Sequence, residues 1–285
     1  MNDKLKENAK IILKGYIVGS SMSVPGVSGS TMAILLGIFD KLIGAISNFF
    51  KDIKNNFLFL LKFCIGAGAG IFSLAFLLKW LLENFPLPVS VFFLGCVVGG
   101  IPALYKKTKG SKFKVSSAVY FLIGLAVVIA IGFIPTGSID ISSGSGITYY
   151  LMLLVVGVVV ALALVLPGIS TSHMLLVLGM YDAVVNAITN IDIPYLGILG
   201  IATVVGVFLI TKPLEWIMNT FPHQTYWMII GFVIGSTWEI FQDKILPAVP
   251  EETDALWWIG MILICLVTFV LGFLAIQFLS RFQED

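Results

Sequence analysis

Long, nearly uncharged apolar runs limit what this chain can fold into more than any other feature. They lie at about 56–83, 87–105, 115–135, 193–218, 224–241 and 256–280. A helix needs about 20 such residues to cross a bilayer core of ~30 Å. Hydrocarbon offers no water to backbone N–H and C=O groups, so each run must close its hydrogen bonds internally as a helix. Composition points the same way: 58% of the 285 residues are hydrophobic and 12% are charged, where a soluble domain carries roughly 25% charged residues. Mean hydropathy is +1.02. The fold class read from this is an all-α polytopic membrane protein. A net charge of +1 gives no global field for nucleic acid. Cys64, Cys96 and Cys265 lie in apolar runs without CxxC or metal-ligand spacing, so they read as packing residues, with no metal or cofactor implied. The polar start MNDKLKENAK is not followed by a short apolar segment and a small-residue cleavage site, so the first apolar segment is expected to be retained.

Two further apolar stretches, 10–50 and 148–190, are interrupted near their middles by SVPGVSGST (23–31) and VLPGISTSH (165–173). Proline removes a backbone donor and clashes with the preceding turn, and the glycine beside it adds conformational freedom. The freed backbone groups need protein, water or ligand partners, so such breaks are expected where they are buried or line a cavity.

The breaks are copies of one another. A shift of 142 aligns residues 25–48 with 167–190 and pairs Pro25 with Pro167, Gly26 with Gly168, Ser28 with Ser170, Ser30 with Ser172, Gly37 with Gly179, Asp40 with Asp182 and Asn48 with Asn190. A shift of 136 then aligns KWLLENFP (79–86) with EWIMNTFP (215–222), so the two matches differ in length by six residues. The chain thus reads as two repeats, 1–135 and 148–285, each a hairpin (10–50 or 148–190) followed by three transmembrane helices. A duplication of this length points to a transporter-type architecture.

Lysines set the orientation. Four precede residue 15, three lie at 51–62 and five at 106–114; residues 136–147 and 190–194 have none, and 242–255 has one against four acids. The positive-inside rule assigns the first group to the cytoplasm and the second to the outside. If each broken stretch is a re-entrant hairpin, every lysine-rich loop is cytoplasmic, both termini are cytoplasmic and the repeats are inverted. Two full crossings per stretch give the same parity. However, residues 10–24 span only ~22 Å as a helix, which favours hairpins.

Each break places hydroxyls beside a new helix start: Ser28, Ser30 and Thr31 in one, Ser170, Thr171 and Ser172, with His173, in the other. With Gly26, Gly29 and Gly168 giving backbone access, these groups form a candidate phosphate site, because unpaired N–H groups and hydroxyls donate to an anion without placing a permanent charge in lipid. The competing reading is close helix packing by small residues. Asp40, Asp182 and Glu215 are candidates for proton coupling or gating, against a reading as interfacial acids. Lys79, matched to Glu215, reads as a snorkelling cation. His173 is suited to contacting phosphate, carrying a proton or satisfying a neighbouring carbonyl, and His223 reads as a turn residue at the interface. No hydrolase constellation is present, and no catalytic residue is assigned.

At PGVSGSTMAILLGIFDKL (25–42) and LPGISTSHMLLVLGMYDAV (166–184) the chain resembles a bacterial membrane-protein family formerly classed as a domain of unknown function. Its studied members are the PopT-type undecaprenyl-phosphate translocases. The resemblance covers essentially the whole chain. The family pattern is PG-V-SGGT in the first half and PG-I-SGS in the second; here Ser30 and Thr171 replace glycines, and His173 takes a small or apolar place. The resemblance implies return of undecaprenyl phosphate from the outer to the inner leaflet of the bacterial cytoplasmic membrane, with a polyprenyl-phosphate lipid as partner. A secondary transporter for a small soluble anion and a lipid-phosphate-modifying enzyme are the alternatives. Oligomeric state, a homo-oligomer included, is left open.

Overall fold

The structure is a computed structural model and describes residues 3–22, 28–108, 115–137, 146–250 and 254–281. Among these residues all regular structure is helical. The twelve α-helices are α1 (Asp3–Met22), α2 (Gly29–Leu35), α3 (Phe39–Ser47), α4 (Ile53–Asn84), α5 (Pro86–Lys107), α6 (Val115–Gly132), α7 (Gly146–Val165), α8 (Thr171–Val177), α9 (Tyr181–Thr189), α10 (Ile193–Thr220), α11 (Pro222–Ile240) and α12 (Ala255–Arg281). A single π-helical turn, Phe241–Ile245, follows α11.

The aligned sequences adopt matching local structure. α2 and α3 meet at 115°, and α8 and α9 at 113°. Both bends turn on a glycine of positive φ, Gly37 and Gly179, each at 65°, a backbone region that other residues reach only with strain. Asp52 caps α4 by accepting from the Asn55 N–H, and Asp192 caps α10 by accepting from the Tyr195 N–H. Pro86 and Pro222 open α5 and α11, where proline's missing donor costs nothing. The six-residue length difference is also located: α4 has 32 residues against 28 in α10, and the linker before it has five residues, 48–52, against three, 190–192.

Among the described residues six helices are long and apolar enough to cross a membrane: Ile53–Leu74, Pro86–Lys107, Val115–Gly132, Gly146–Val165, Ile193–Thr220 and Leu256–Leu279. Two expectations change. The stretch expected at 224–241 forms α11 but is not one of these six. Most of α11 is buried, and a helix enclosed by protein need not be uniformly apolar. The arms entering the breaks are longer than expected. α1 and α7 each have 20 residues, about 30 Å, and α7 meets the criterion for a span. α1 opens with Asp3, Lys4, Lys6, Glu7 and Lys10 and is not one of the six, so its apolar part remains shorter than a span.

The helices pair as α1 with α4, α7 with α10, α5 with α12 and α6 with α11. Small residues lie at each contact. An added Cβ would come within 2.0 Å of the Ala67 carbonyl oxygen at Gly19, 2.1 Å of the Tyr16 carbonyl oxygen at Gly70, 2.2 Å of the Phe269 carbonyl oxygen at Gly95 and 2.2 Å of the Phe121 carbonyl oxygen at Gly231. Without a hydrophobic drive between helices in lipid, this close backbone approach supplies the packing. It also fixes direction. Gly15 and Gly19 face Phe63 and Ala67; Gly157 faces Ala202 and Gly206 faces Ala161; Gly95 and Gly99 face Phe269 and Phe273; Gly124 faces Met228 and Gly235 faces Val128. Position rises together on both partners, so all four pairs are parallel. With α1 parallel to α4 and α7 parallel to α10, the start of α4 lies toward the start of α1 and the start of α10 toward that of α7.

Candidate functional site

A chain break in a bilayer must find partners for the backbone groups it frees, and here one break supplies them to the other. Pro167 ends α7, leaving the Leu166 carbonyl and the Gly168 N–H outside its ladder. The Ser30 hydroxyl donates to the Leu166 carbonyl at 3.0 Å, and the Gly168 N–H donates to Thr31 Oγ1 at 2.9 Å. Ser28 and Ser30 share a hydroxyl–hydroxyl bond of 2.7 Å. Ser28, Ser30, Thr31 and Ser170 are all buried. Ser28 and Ser170 hold nearly the same backbone, φ −79°, ψ 130° and φ −81°, ψ 123°, extended as helix-capping residues are.

The two copies nevertheless differ in their bonding. The Ser170 hydroxyl accepts from the His173 N–H at 3.3 Å, whereas Ser28 makes no such cap. Both Thr31 and its counterpart His173 reach the other half, Thr31 at the Gly168 N–H of the break and His173 at the Ile131 carbonyl of α6, with Nε2 at 3.3 Å. A carbonyl only accepts, so that bond requires the proton on Nε2. Of the three roles open to His173, this contact is the satisfied carbonyl. Ser172 and Thr171 are half-buried at the start of α8, and Gly29 is half-buried at the start of α2. Gly26 lies outside the described residues, as does Val24, so the reciprocal side of the clamp is not described. Of these hydroxyls Ser30 donates to backbone, whereas Thr31 Oγ1 and Ser170 Oγ accept from backbone N–H groups. α2 and α8 have only seven residues each, so hydroxyls and freed backbone matter more here than helix dipoles.

The acidic candidates separate. Asp40, in the first turn of α3, accepts from Lys107 Nζ at 2.5 Å and from the Tyr226 hydroxyl at 2.9 Å. Lys107 also lies 5.5 Å from the centre of the Tyr226 ring. Asp40 thereby ties α3 to the end of α5 and the start of α11. Asp182, its copy, is exposed in the first turn of α9. Glu215, half-buried on α10, accepts from Asn48 Nδ2 at 2.7 and 2.9 Å and from the Ser47 hydroxyl. It joins the end of α3 to the other half. Its counterpart Lys79 is exposed and pairs with Glu83 at 3.8 Å. His223 lies in the first turn of α11 rather than in a free turn, with Nε2 2.8 Å from the Ser117 hydroxyl. Cys96 is buried, Cys265 half-buried and Cys64 exposed, so the packing role expected of all three does not extend to Cys64. Sequence reasoning missed Lys107, Tyr226 and Ser47 as partners of the acids. Asn48 carried a signal, its match with Asn190.

An apolar cavity of about 220 Å³ adjoins the first break. Its walls come from both halves, including Val18, Ala33, Phe39, Phe63, Val165 and Val207, and it reaches Gly29 and Ser30.

Fold and site define a multi-pass helical membrane protein in which two broken helices meet in the interior. It belongs to the undecaprenyl phosphate translocase-like (VCA0040-like) family, whose profile matches residues 18–256. It is 33% identical over 286 residues to a polyprenyl-phosphate transporter of Staphylococcus aureus (strain NCTC 8325 / PS 47), covering 96% of each chain. It is 28% identical over 252 residues to a polyprenyl-phosphate transporter of Vibrio cholerae serotype O1 (strain ATCC 39315 / El Tor Inaba N16961), covering 81% of this chain and 77% of that one. No solved structure gives a significant match.

Proposed function

We propose that the protein returns undecaprenyl phosphate, or a close polyprenyl phosphate, from the outer to the inner leaflet of the bacterial cytoplasmic membrane, by alternating access of two inverted halves. The observation that carries this reading is the meeting of the two breaks: Ser30 and Thr31 of one half bond the backbone freed in the other. Carrying a charged phosphate through hydrocarbon unaided costs on the order of tens of kcal/mol. Hydroxyls and freed N–H groups in the interior lower that cost, and the anion has to displace the bonds that now close the site. Support for the lipid comes from the family and from the names of both relatives.

Support for inversion comes from the parallel pairs. α5 corresponds to α11, and α6 to α12, under the shift of 136. α6 parallels α11 and α5 parallels α12; if α5 and α6 are successive, opposed crossings, each helix and its counterpart point in opposite directions. Asp40, Lys107, Tyr226, Ser47, Asn48 and Glu215 then gather at the end assigned to the cytoplasm by the lysines. In this reading α1–α3 and α7–α9 are re-entrant units of repeats 1–135 and 148–285.

Ser28→Ala combined with Ser170→Ala is expected to reduce uptake of polyprenyl phosphate into proteoliposomes severely, with the lipid recovered chemically intact. Unchanged uptake sinks the assignment of the phosphate to the breaks, and a dephosphorylated product sinks translocation. We assign Glu215 and Asp40 to an inner gate that opens when a carboxylate takes up a proton, with Asp182 as the outer copy. Glu215→Gln should abolish the response of transport to an imposed pH gradient while transport without a gradient persists. A variant that still responds like the natural protein removes Glu215 from coupling.

A further inference from the structure

The cavity beside the first break is lined almost wholly by apolar side chains. Among its described lining residues Ser30 alone carries a side-chain oxygen, and that hydroxyl is bonded to Ser28 and to the freed Leu166 carbonyl. Cys64 of α4 also lines the cavity and is at the same time exposed. A residue on both surfaces places the cavity next to the lipid-facing side of the molecule. An inorganic anion gains nothing from such walls, because apolar surface offers it no donors. An apolar chain ending in a phosphate matches these walls, with the chain against the apolar side chains and the head beside the Ser30 hydroxyl.

We propose that this cavity is the berth of the first isoprene units of the carrier lipid, those next to the phosphate, with the rest of the tail passing out beside Cys64 into the bilayer. The inference rests on the lipid-phosphate reading and deepens it. The berth is built by α1 to α4 of one half and α7 and α10 of the other. Rocking one half against the other therefore changes its width, so filling it couples tail binding to the motion that carries the head. It also gives the protein a means of choosing branched isoprenoid chains over straight acyl chains, since rigid walls such as Phe39, Phe63 and Val165 discriminate by shape.

The test uses the full-length protein in liposomes and a polyprenyl phosphate carrying a diazirine on its first isoprene units. Photolysis and peptide mass spectrometry should place adducts on α2–α4 and α10 at cavity residues such as Phe63 and Val207. Excess unlabelled polyprenyl phosphate should suppress them; inorganic phosphate should not. At a competitor concentration about ten times its dissociation constant, adduct yield should fall about tenfold. Val207→Trp, at a half-buried position, should lower both adduct yield and transport, while Val205→Trp, at an exposed position on the same helix, should lower neither. Adducts confined to outward-facing residues such as Ile262 and Leu266 of α12, or insensitive to unlabelled lipid, overturn the berth. Transport is measured in the same liposomes: transport without cavity adducts rejects the berth and keeps the function, whereas suppressible cavity adducts without transport keep the berth and reject translocation.

Discussion

Gly168→Ala is expected to destabilise the protein by about 2–5 kcal/mol and to abolish transport at growth temperature. Two separate effects add. Gly168 has φ 78°, where an L side chain costs roughly 1–2 kcal/mol. The new Cβ would also lie 2.3 Å from the Phe232 carbonyl oxygen of α11; backbone cannot yield as a side-chain tip does, and such overpacking costs about 1–3 kcal/mol. Gly137 provides the control. Its φ is 73° and nothing stands within 4 Å of its added Cβ, so Gly137→Ala should show the conformational part alone, roughly 1–2 kcal/mol. Thermal unfolding of the two variants in detergent separates the terms. Equal losses at both sites would show that contact with α11 does not constrain the second break.

Thr31→Val should cost about 1–3 kcal/mol despite changing almost no volume, because it strands the buried Gly168 N–H. Thr31 is 2% exposed, so water does not replace the lost acceptor. Thr31→Ser keeps the oxygen and should restore most of the stability. This pair separates a hydrogen bond between the halves from simple packing: if valine is tolerated and serine is not, methyl contact matters there rather than the bond. The valine variant also lacks a hydroxyl proposed to hold the phosphate, so a bound polyprenyl phosphate should stabilise it less than it stabilises the natural protein.

Much of this molecule is legible in the chain. The paired Asp52 and Asp192 caps, Pro86 and Pro222 at helix starts, and Gly37 and Gly179 at the two bends each act through local backbone chemistry, so their positions in the sequence carry their structural meaning. Lysine placement similarly gave a parity that does not depend on whether each broken stretch turns back. The lengths of α1 and α7 were less legible. α1 begins among charged residues, so an apolar criterion started it at residue 10, seven residues after the helix does. α11 looks like an ordinary span in sequence because periodicity does not tell a helix surrounded by protein from one surrounded by lipid.

The sequence by itself determined a helical membrane protein, its duplication and the two places where the helix must break, because lipid permits few backbone solutions and proline with glycine enforces the interruption. Only the tertiary structure decided which groups satisfy those breaks. Ser30 is 136 residues from Leu166, and Thr31 is 137 from Gly168, so no local pattern pairs them. It likewise decided that copies with the same backbone have different partners: Thr31 takes the Gly168 N–H freed at the other break while His173 takes the Ile131 carbonyl of α6, and Glu215 grips α3 while Lys79 pairs with Glu83 on its own helix. Duplication gives both copies the same helices and bends, but a side chain's partner depends on what the rest of the fold brings within about 3 Å of it.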